Sequence, residues 1–346
     1  MKQISIFLLA LMLSTTVSAR ENFKVCWSIY VGWMPWAYGA EQGIVKKWAD
    51  KYDINIEVVQ INDYVESINQ YSAGAFDACT MTNMDALTIP ASGGVDSTAL
   101  VVGDFSNGND GIVLKGKDSL ADIKGQNVNL VELSVSHYML ARGLESVGLR
   151  ERDLQVVNTS DADMVAVYGT PDVTAVATWN PLLSEIESMP DSHLVFDSSQ
   201  IPGEIIDLLV VNTETLEQNP ALGKALTGAW YEIMATMSGT DAAATAAKTY
   251  MAEAAGTDLA GYEAQLGSTE MFYTPESALA LTNSPKLMTT MQNVAEFSFD
   301  HGLLGEGAPD AGFIGIETPA GVYGNSNNIQ LRFTPTYMQM ALDGAL

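Results

Sequence analysis

The 346-residue sequence predicts an α/β protein of two lobes, each a mostly parallel sheet flanked by helices, with a cleft between the lobes. Three observations carry that expectation. The chain is longer than one hydrophobic core usually supports, so two lobes are the natural division. Strand-like and helix-like segments alternate from early on, and a β-α-β-α-β order implies parallel strands joined by helical crossovers. The segment DLLVVNTETL then reads as a strand returning to the first lobe after a second α/β unit is complete.

Taken in order, residues 1–19 are expected to be a cleaved secretory leader. Lys2 gives the positive start, IFLLALMLS the apolar run and Val17-Ser18-Ala19 the small-residue cleavage site. The run is too short to span a bilayer, and no lipid-modifiable Cys follows it. The mature protein is therefore expected to be soluble and periplasmic. FKVCWSIYV reads as a strand, AEQGIVKKWADKY as an amphipathic helix and INIEVVQI as an alternating strand. DYVESINQYSAG reads as a helix closed by Gly74, FDACTM as a short apolar strand and MDALTIPAS as helix-like. STALVVGDF and GIVLK are further strands joined by SNGNDG.

The second unit begins near SLADIKGQNVNLVEL and continues through the helix SHYMLARGLESVG, the strand LQVVNTS, a helix around Met164 to Tyr168 and the strand VTAVATW. Everything after the return strand is expected to be mostly helical, and TDAAATAAKTYMAEAAG is a good helix former. The expected boundaries are 1–19 for the leader, 20–116 for the first part of lobe 1, 117–205 for lobe 2 and 206–346 for the rest of lobe 1. The two crossings between lobes can serve as a hinge.

A 47% hydrophobic content excludes a disordered chain, and a formal charge of −26 disfavours nucleic acid or an anionic membrane as partner. Most of these carboxylates are accounted for by a solvated acidic surface. Cys26 and Cys79 both lie in strand-like segments; export permits a disulfide, burial as free thiols is the alternative, and spacing does not decide between them. His137, His193 and His301 are far apart, and HExxH, CxxC, GxSxG and P-loop patterns are missing from the sequence. Catalysis, a metal and a cofactor are therefore not expected.

The densest signal is aromatic. Trp27, Tyr30, Trp33 and Trp36 fall within ten residues, although the chain has only six Trp. Trp27 alternates along a strand and belongs to a core, as do Trp48 and Trp230 in helical runs. Trp33 and Trp36 sit in a loop broken by Gly32 and Pro35, where side chains more often meet a ligand. Ligands of open α/β sheets bind beyond the carboxyl ends of strands, which nominates the loops there. They offer Tyr30, Trp33 and Trp36; Thr82, Asn83 and Asp85; Asp110; Glu132, Ser134 and His137; Trp179 and Asn180; and, at the return crossing, Asp207. Asp85 has the alternative of capping a helix, and His137 that of packing in one. Trp179 ends its strand with either role open, and Glu204 is expected to be solvated.

Several segments resemble the periplasmic solute-binding proteins of the nitrate/sulfonate/taurine type. The resemblance is carried by INQYSAGAFDACTMTNMDAL, DSLADIKGQNVNLVELSVSHYMLARGLESVGL, VTAVATWNPLLSEI and LLVVNTETLEQNP, and covers about residues 24 to 300. WSIYVGWMPWAYG and TMTNMDALTIPA look closest to the subgroup associated with urea carboxylase systems, whose proposed ligands are urea or guanidine. The resemblance implies a type II binding-protein fold, a monomer that closes around a small solute and an ABC permease in the inner membrane as partner.

None of the nominated loops contains Arg or Lys. A sulfonate or nitrate site normally combines helix N-terminal N–H groups with hydroxyls or a cation, and Glu132 beside VELSVSHY would repel an anion. Guanidinium presents N–H donors that a carboxylate accepts in pairs and a flat face that stacks on Trp. Urea is the close competitor, since a neutral ligand does not require a carboxylate to be dehydrated. Other small solutes (a sulfonate, nitrate or an amine) and a sensory role remain alternatives. So do the thiamine-pyrimidine enzymes of the same fold, which are not exported and need a Lys/His/Cys constellation.

Overall fold

The computed structural model describes residues 21–346, so the expected leader lies outside the described residues. The chain begins with β1 (Asn22–Trp27), α1 (Met34–Glu41), α2 (Ile44–Lys51), β2 (Asn55–Gln60), α3 (Tyr64–Ser72), β3 (Ala78–Thr82), α4 (Asn83–Ala86) and β4 (Ser97–Ser106). It crosses into β5 (Asp110–Lys115), β6 (Asn127–Leu130), α5 (Val135–Ser146), β7 (Gln155–Asn158), α6 (Asp161–Tyr168), β8 (Ala175–Trp179), α7 (Leu182–Glu187) and β9 (Ser192–Asp197). The return strand β10 (Ile206–Asn212) leads into α8 (Thr213–Gln218), α9 (Pro220–Met237), α10 (Ala242–Ala254), α11 (Leu259–Gly267), β11 (Thr269–Met271), α12 (Pro275–Thr282) and α13 (Pro285–Asp300). Three short strands, β12 (Gly315–Thr318), β13 (Gly321–Tyr323) and β14 (Ile329–Phe333), and α14 (Thr336–Leu342) close the chain.

Local chemistry sets the boundaries that position the site. The Asp63 carboxylate accepts the Glu66 N–H and starts α3, which stops at Ala73 before Gly74 takes a left-handed φ of 78°. Thr82 caps α4 in the same way, accepting the Asp85 N–H, so a buried strand turns at once into a helix. Beyond it, a π-helical turn at Leu87–Ala91 accommodates Pro90. The long α9 starts at Pro220 and buries Leu222, Leu226, Ala229, Trp230 and Ile233 at helical spacing.

Two sheets result. The first runs β13-β12-β14-β4-β10-β3-β1-β2 with β11 added beside β4, and the second runs β7-β6-β8-β5-β9. Neither is mostly parallel in the manner expected. β1 is parallel to β2 and β3, but β10 is antiparallel to both β3 and β4, and β5 is antiparallel to both β8 and β9. The reason is topological: β5 and β10 each arrive from the other lobe and enter their sheet at the cleft end. The segment GIVLK forms β5 and pairs within the second sheet. The stretch after 300, expected to be helical, instead adds β12 to β14 at the edge of the first sheet beside β4.

Cys26 and Cys79 are direct partners across β1 and β3 and form a disulfide with Cα atoms 4.5 Å apart. Trp27 and Trp230 are core residues, whereas Trp48 is half-buried and donates its indole N–H to Glu232 at 2.8 Å. Among the described residues no helix is long and apolar enough to cross a membrane.

Candidate functional site

The carboxyl ends of β3, β4 and β8 meet the amino ends of β5 and β10 at one place. Asp207, second in β10, stands opposite Thr82 of β3 on one side and Asp104 of β4 on the other. Asp110, first in β5, stands opposite Trp179, last in β8. Between them lies a cavity lined by Tyr30, Trp33, Tyr64, Thr82, Asp110, Val135, Trp179, Ile205 and Asp207. It leaves about 10 Å³ for the centre of a water-sized sphere, about the space one water molecule needs, so a larger solute requires the walls to move apart. A roomier groove of about 760 Å³ lies elsewhere, between α5 and α13, is lined by side chains such as Arg142 and Glu145, and shares none of these residues.

Four aromatic rings wall the cavity. Trp33 meets Tyr30 edge-on at 4.9 Å between centroids and lies 5.5 Å from Tyr64, which meets Trp179 edge-on at 5.6 Å. The two phenols are tethered from behind: Tyr30 donates its hydroxyl to Asp104 at 2.8 Å and Tyr64 donates to Asp85 at 2.7 Å. Gly32 lets the first tether form, since a Cβ there would come within 2.5 Å of both the Asp104 carboxylate and the Tyr30 ring.

The lobes touch around the cavity. Trp179 Nε1 donates to the Ile29 carbonyl at 3.3 Å, Ser160 Oγ donates to Asp63 at 2.8 Å, and the Tyr64 N–H donates to Asp161 at 3.3 Å. The arrangement is a closed one.

The electrostatics are one-sided. Asp85 and Asp104 are fully buried, Asp110 is 3% exposed and Asp207 is 2% exposed, and among the described residues no Lys or Arg lines the cavity. Thr82 Oγ1 donates to Asp85 at 2.8 Å and Ser106 Oγ donates to Asp110, while one oxygen each of Asp85, Asp104 and Asp207 has no donor among the described residues. Removing carboxylates from water without a counter-charge favours their neutral form. Burial accordingly pushes Asp85 and Asp104 up to about 6 and Asp110 to about 7. Asp207 rises well above the carboxylate range through burial and then the charge of Asp104. A cation bound among them would remove the penalty; an anion would add to it.

The other expected site residues are placed as follows. Trp36 turns away and stacks on Trp230 at 5.4 Å, because Pro35 starts α1 immediately and directs that helix face into the core. Asn83 clamps the return crossing, accepting the Ile206 N–H at 3.0 Å and donating to the Glu204 carbonyl at 3.1 Å. Ser134 caps α5, which brings Val135 to the cavity, while Glu132 is exposed. His137 accepts the Leu133 N–H and lies 2.9 Å from Glu151, whose carboxylate also meets His301 at 2.8 Å. Asn180 accepts the Ser184 N–H at 2.9 Å and serves the start of α7. Glu204 is not solvated: Arg142 pairs with it at 2.9 Å and Tyr138 donates its hydroxyl to it.

Tyr64 and Asp104 escaped the sequence reading. Asp104 is an acid near the end of the apolar run STALVVGDF, where a buried carboxylate needs a partner. Tyr64 follows β2, a strand whose loop was passed over although the carboxyl-end rule covers it.

A family model described as "NMT1/THI5 like" matches residues 45–245. A Brucella abortus (strain 2308) protein that carries a provisional name as a binding protein is 24% identical over 224 residues, 63% of this chain and 68% of its own. The taurine-binding periplasmic protein of Escherichia coli (strain K12) is 24% identical over 117 residues, 33% of this chain and 36% of its own. In fold, the alkanesulfonate-binding protein SsuA from Xanthomonas axonopodis pv. citri bound to MOPS superposes with a TM-score of 0.68 at 14% identity, covering 84% of this chain and 96% of that one. The periplasmic nitrate-binding protein NrtA from Synechocystis PCC 6803 gives 0.68 at 13% identity, covering 94% and 89%. The two-lobe architecture is therefore that of the periplasmic binding proteins, and the chain, matched over more than half its length, belongs to the NMT1/THI5-like family.

Proposed function

We propose that this protein is the periplasmic solute-binding component of an ABC importer and that its solute is a small planar nitrogen compound, guanidinium before urea. One observation carries the choice of ligand: Asp110 and Asp207 form part of the cavity wall, with Asp85 and Asp104 behind it, and no basic side chain lines that wall. Guanidinium would give each carboxylate a charge-assisted pair of N–H donors and present its flat faces to Trp33, Tyr64 and Trp179. Sulfonate and nitrate, which the names of several relatives mention, meet carboxyl groups and no cationic side chain here. The absence of Lys, His and Cys from the lining supports binding over the chemistry of the same-fold thiamine-pyrimidine enzymes. In this reading the protein acts as a monomer, needs no cofactor and delivers its solute to a membrane permease.

Urea is kept as a second reading because burial pushes Asp110 up to about 7, where its neutral acid can donate to a urea carbonyl. Calorimetry and thermal shift against guanidinium, methylguanidine, urea, taurine and nitrate separate the readings. A ligand at about 100 times its Kd stabilises the protein by roughly 2.7 kcal/mol. Guanidinium is expected to raise the Tm. A shift with taurine or nitrate and none with guanidinium would overturn the assignment.

A further inference from the structure

We propose that solute capture at this site is an exchange, in which the Asp104–Asp207 pair holds one shared proton in the empty protein and releases it to solvent as the cation binds. The inference rests on the cationic reading of the cavity and adds its regulation.

The geometry supplies the argument. The two residues are direct partners across the β4–β10 ladder, both are buried, and the charge of Asp104 raises Asp207. Each offers one fully buried oxygen, Oδ2, that receives no donor from the described residues. The Asp104 Oδ1 is already occupied by the Tyr30 hydroxyl. Two buried carboxylates on paired strands repel when both are ionised, whereas one proton shared between them allows a carboxyl–carboxylate hydrogen bond.

Beyond the Tyr30 hydroxyl, the neighbours offer no positive compensation. The titratable groups acting on the pair are Tyr30 from the loop after β1, Asp110 from β5, Tyr262 from α11 and Tyr273 from the segment after β11. All are acids or phenols. A proton is therefore the only positive charge the empty pair has among the described groups around it.

Asp207, unlike Asp104, also lines the cavity. A cation seated there lies against the carboxylate that shares the proton and takes over its electrostatic role. The step balances simply: the pair's O–H bond breaks, the electron pair stays on the carboxylate, the proton goes to water, and the cation remains held without a covalent bond. By linkage, such a site binds more tightly as the pH rises, by up to about tenfold per pH unit for one proton exchanged.

The test begins on the empty protein, at about pH 8, where Asp85 and Asp110 are mostly ionised. Infrared difference spectra of wild type against Asp104→Asn should show the carbonyl stretch of one neutral carboxylic acid, missing in the variant. The amide introduced by this substitution places an N–H where the proton was and keeps an acceptor for Tyr30, so the variant should fold. Adding guanidinium chloride to wild type should remove the band. Titration calorimetry in phosphate and in Tris should give apparent enthalpies that differ as expected for about one proton released, and Asp104→Asn should lose that difference.

No acid band in the empty wild type overturns the exchange, whatever binds. A band that persists beside tight, buffer-independent guanidinium binding overturns the exchange and leaves the proposed function standing. A band with no guanidinium binding overturns the ligand assignment, and the exchange with it.

Discussion

Tyr64 joins the two lobes through two different chemistries at once: its hydroxyl donates to Asp85 at 2.7 Å in lobe 1, and its ring meets Trp179 of lobe 2 edge-on at 5.6 Å. The oxygen also accepts the Thr82 N–H at 3.0 Å, so one phenol satisfies a strand end, orients a buried carboxylate and forms part of the closed cavity. Tyr64→Phe separates these roles by keeping the ring and deleting the oxygen. It leaves Asp85 with Thr82 as its side-chain donor and orphans a buried N–H, a loss of about 1–3 kcal/mol. The Tm of the ligand-free protein should fall, measured by heating because urea and guanidinium are themselves candidate ligands. An unchanged Tm would show that the phenol's oxygen contributes nothing.

Gly32→Ala tests the matching tether on the other side. The added methyl would sit 2.5 Å from Asp104 Oδ2 and from the Tyr30 ring, and neither neighbour can retreat in a packed interior without breaking the 2.8 Å bond between them. Overpacking of this kind costs about 1–3 kcal/mol. Guanidinium affinity should drop about tenfold or more while circular dichroism stays native. Wild-type affinity in a folded variant would mean that Tyr30 does not need its anchor.

The β-α-β alternation made two lobes and the return strand readable, because helix and strand periods are written locally. The antiparallel setting of β5 and β10 was not, since it depends on where a strand enters the sheet and not on what it contains. GIVLK reads equally well as a last strand of either sheet. In the same way a one-turn difference separates Trp33 from Trp36. Both are loop-adjacent tryptophans in the sequence, and only the start of α1 at Met34 turns one toward the cavity and the other onto Trp230. Acids were legible as a class, but their burial was not: Glu132 is exposed, while Asp104, hidden in an apolar run, is buried beside Asp207.

Asp207→Asn should divide the two candidate ligands. The substitution removes a charge-assisted acceptor worth about 1.5–3 kcal/mol, so guanidinium should weaken roughly 10- to 150-fold. Urea, which needs no counter-charge, should change by less than about threefold. Glu132→Gln, at an exposed position, should leave both within about twofold. Equal losses for guanidinium and urea in Asp207→Asn would remove the case for a cation.

Stability of the empty protein should run against the common pattern and decline as the pH rises from about 4 to 7. Asp85 and Asp104 at about 6 and Asp110 at about 7 are raised above their unfolded value of 3.8, so across that window the folded state binds more protons than the unfolded one. Stability is then fully present below the unfolded pKa and is lost as each carboxyl ionises in place. His301, raised by its hydrogen bond to Glu151, acts in the same direction. Glu151 opposes it only at lower pH: burial would raise it, but hydrogen bonds from His137 and His301 hold it at about 2, so its contribution is lost below about 4.5. Calorimetric Tm values at constant ionic strength should therefore peak in mild acid, and saturating guanidinium should recover most of the loss at neutral pH. Self-repulsion in a chain of charge −26 has the same sign, so the site-specific part is isolated by Asp110→Asn, which should flatten the decline between about pH 5 and 7. A variant profile parallel to wild type would show that Asp110 contributes nothing to the slope and is ionised throughout that window.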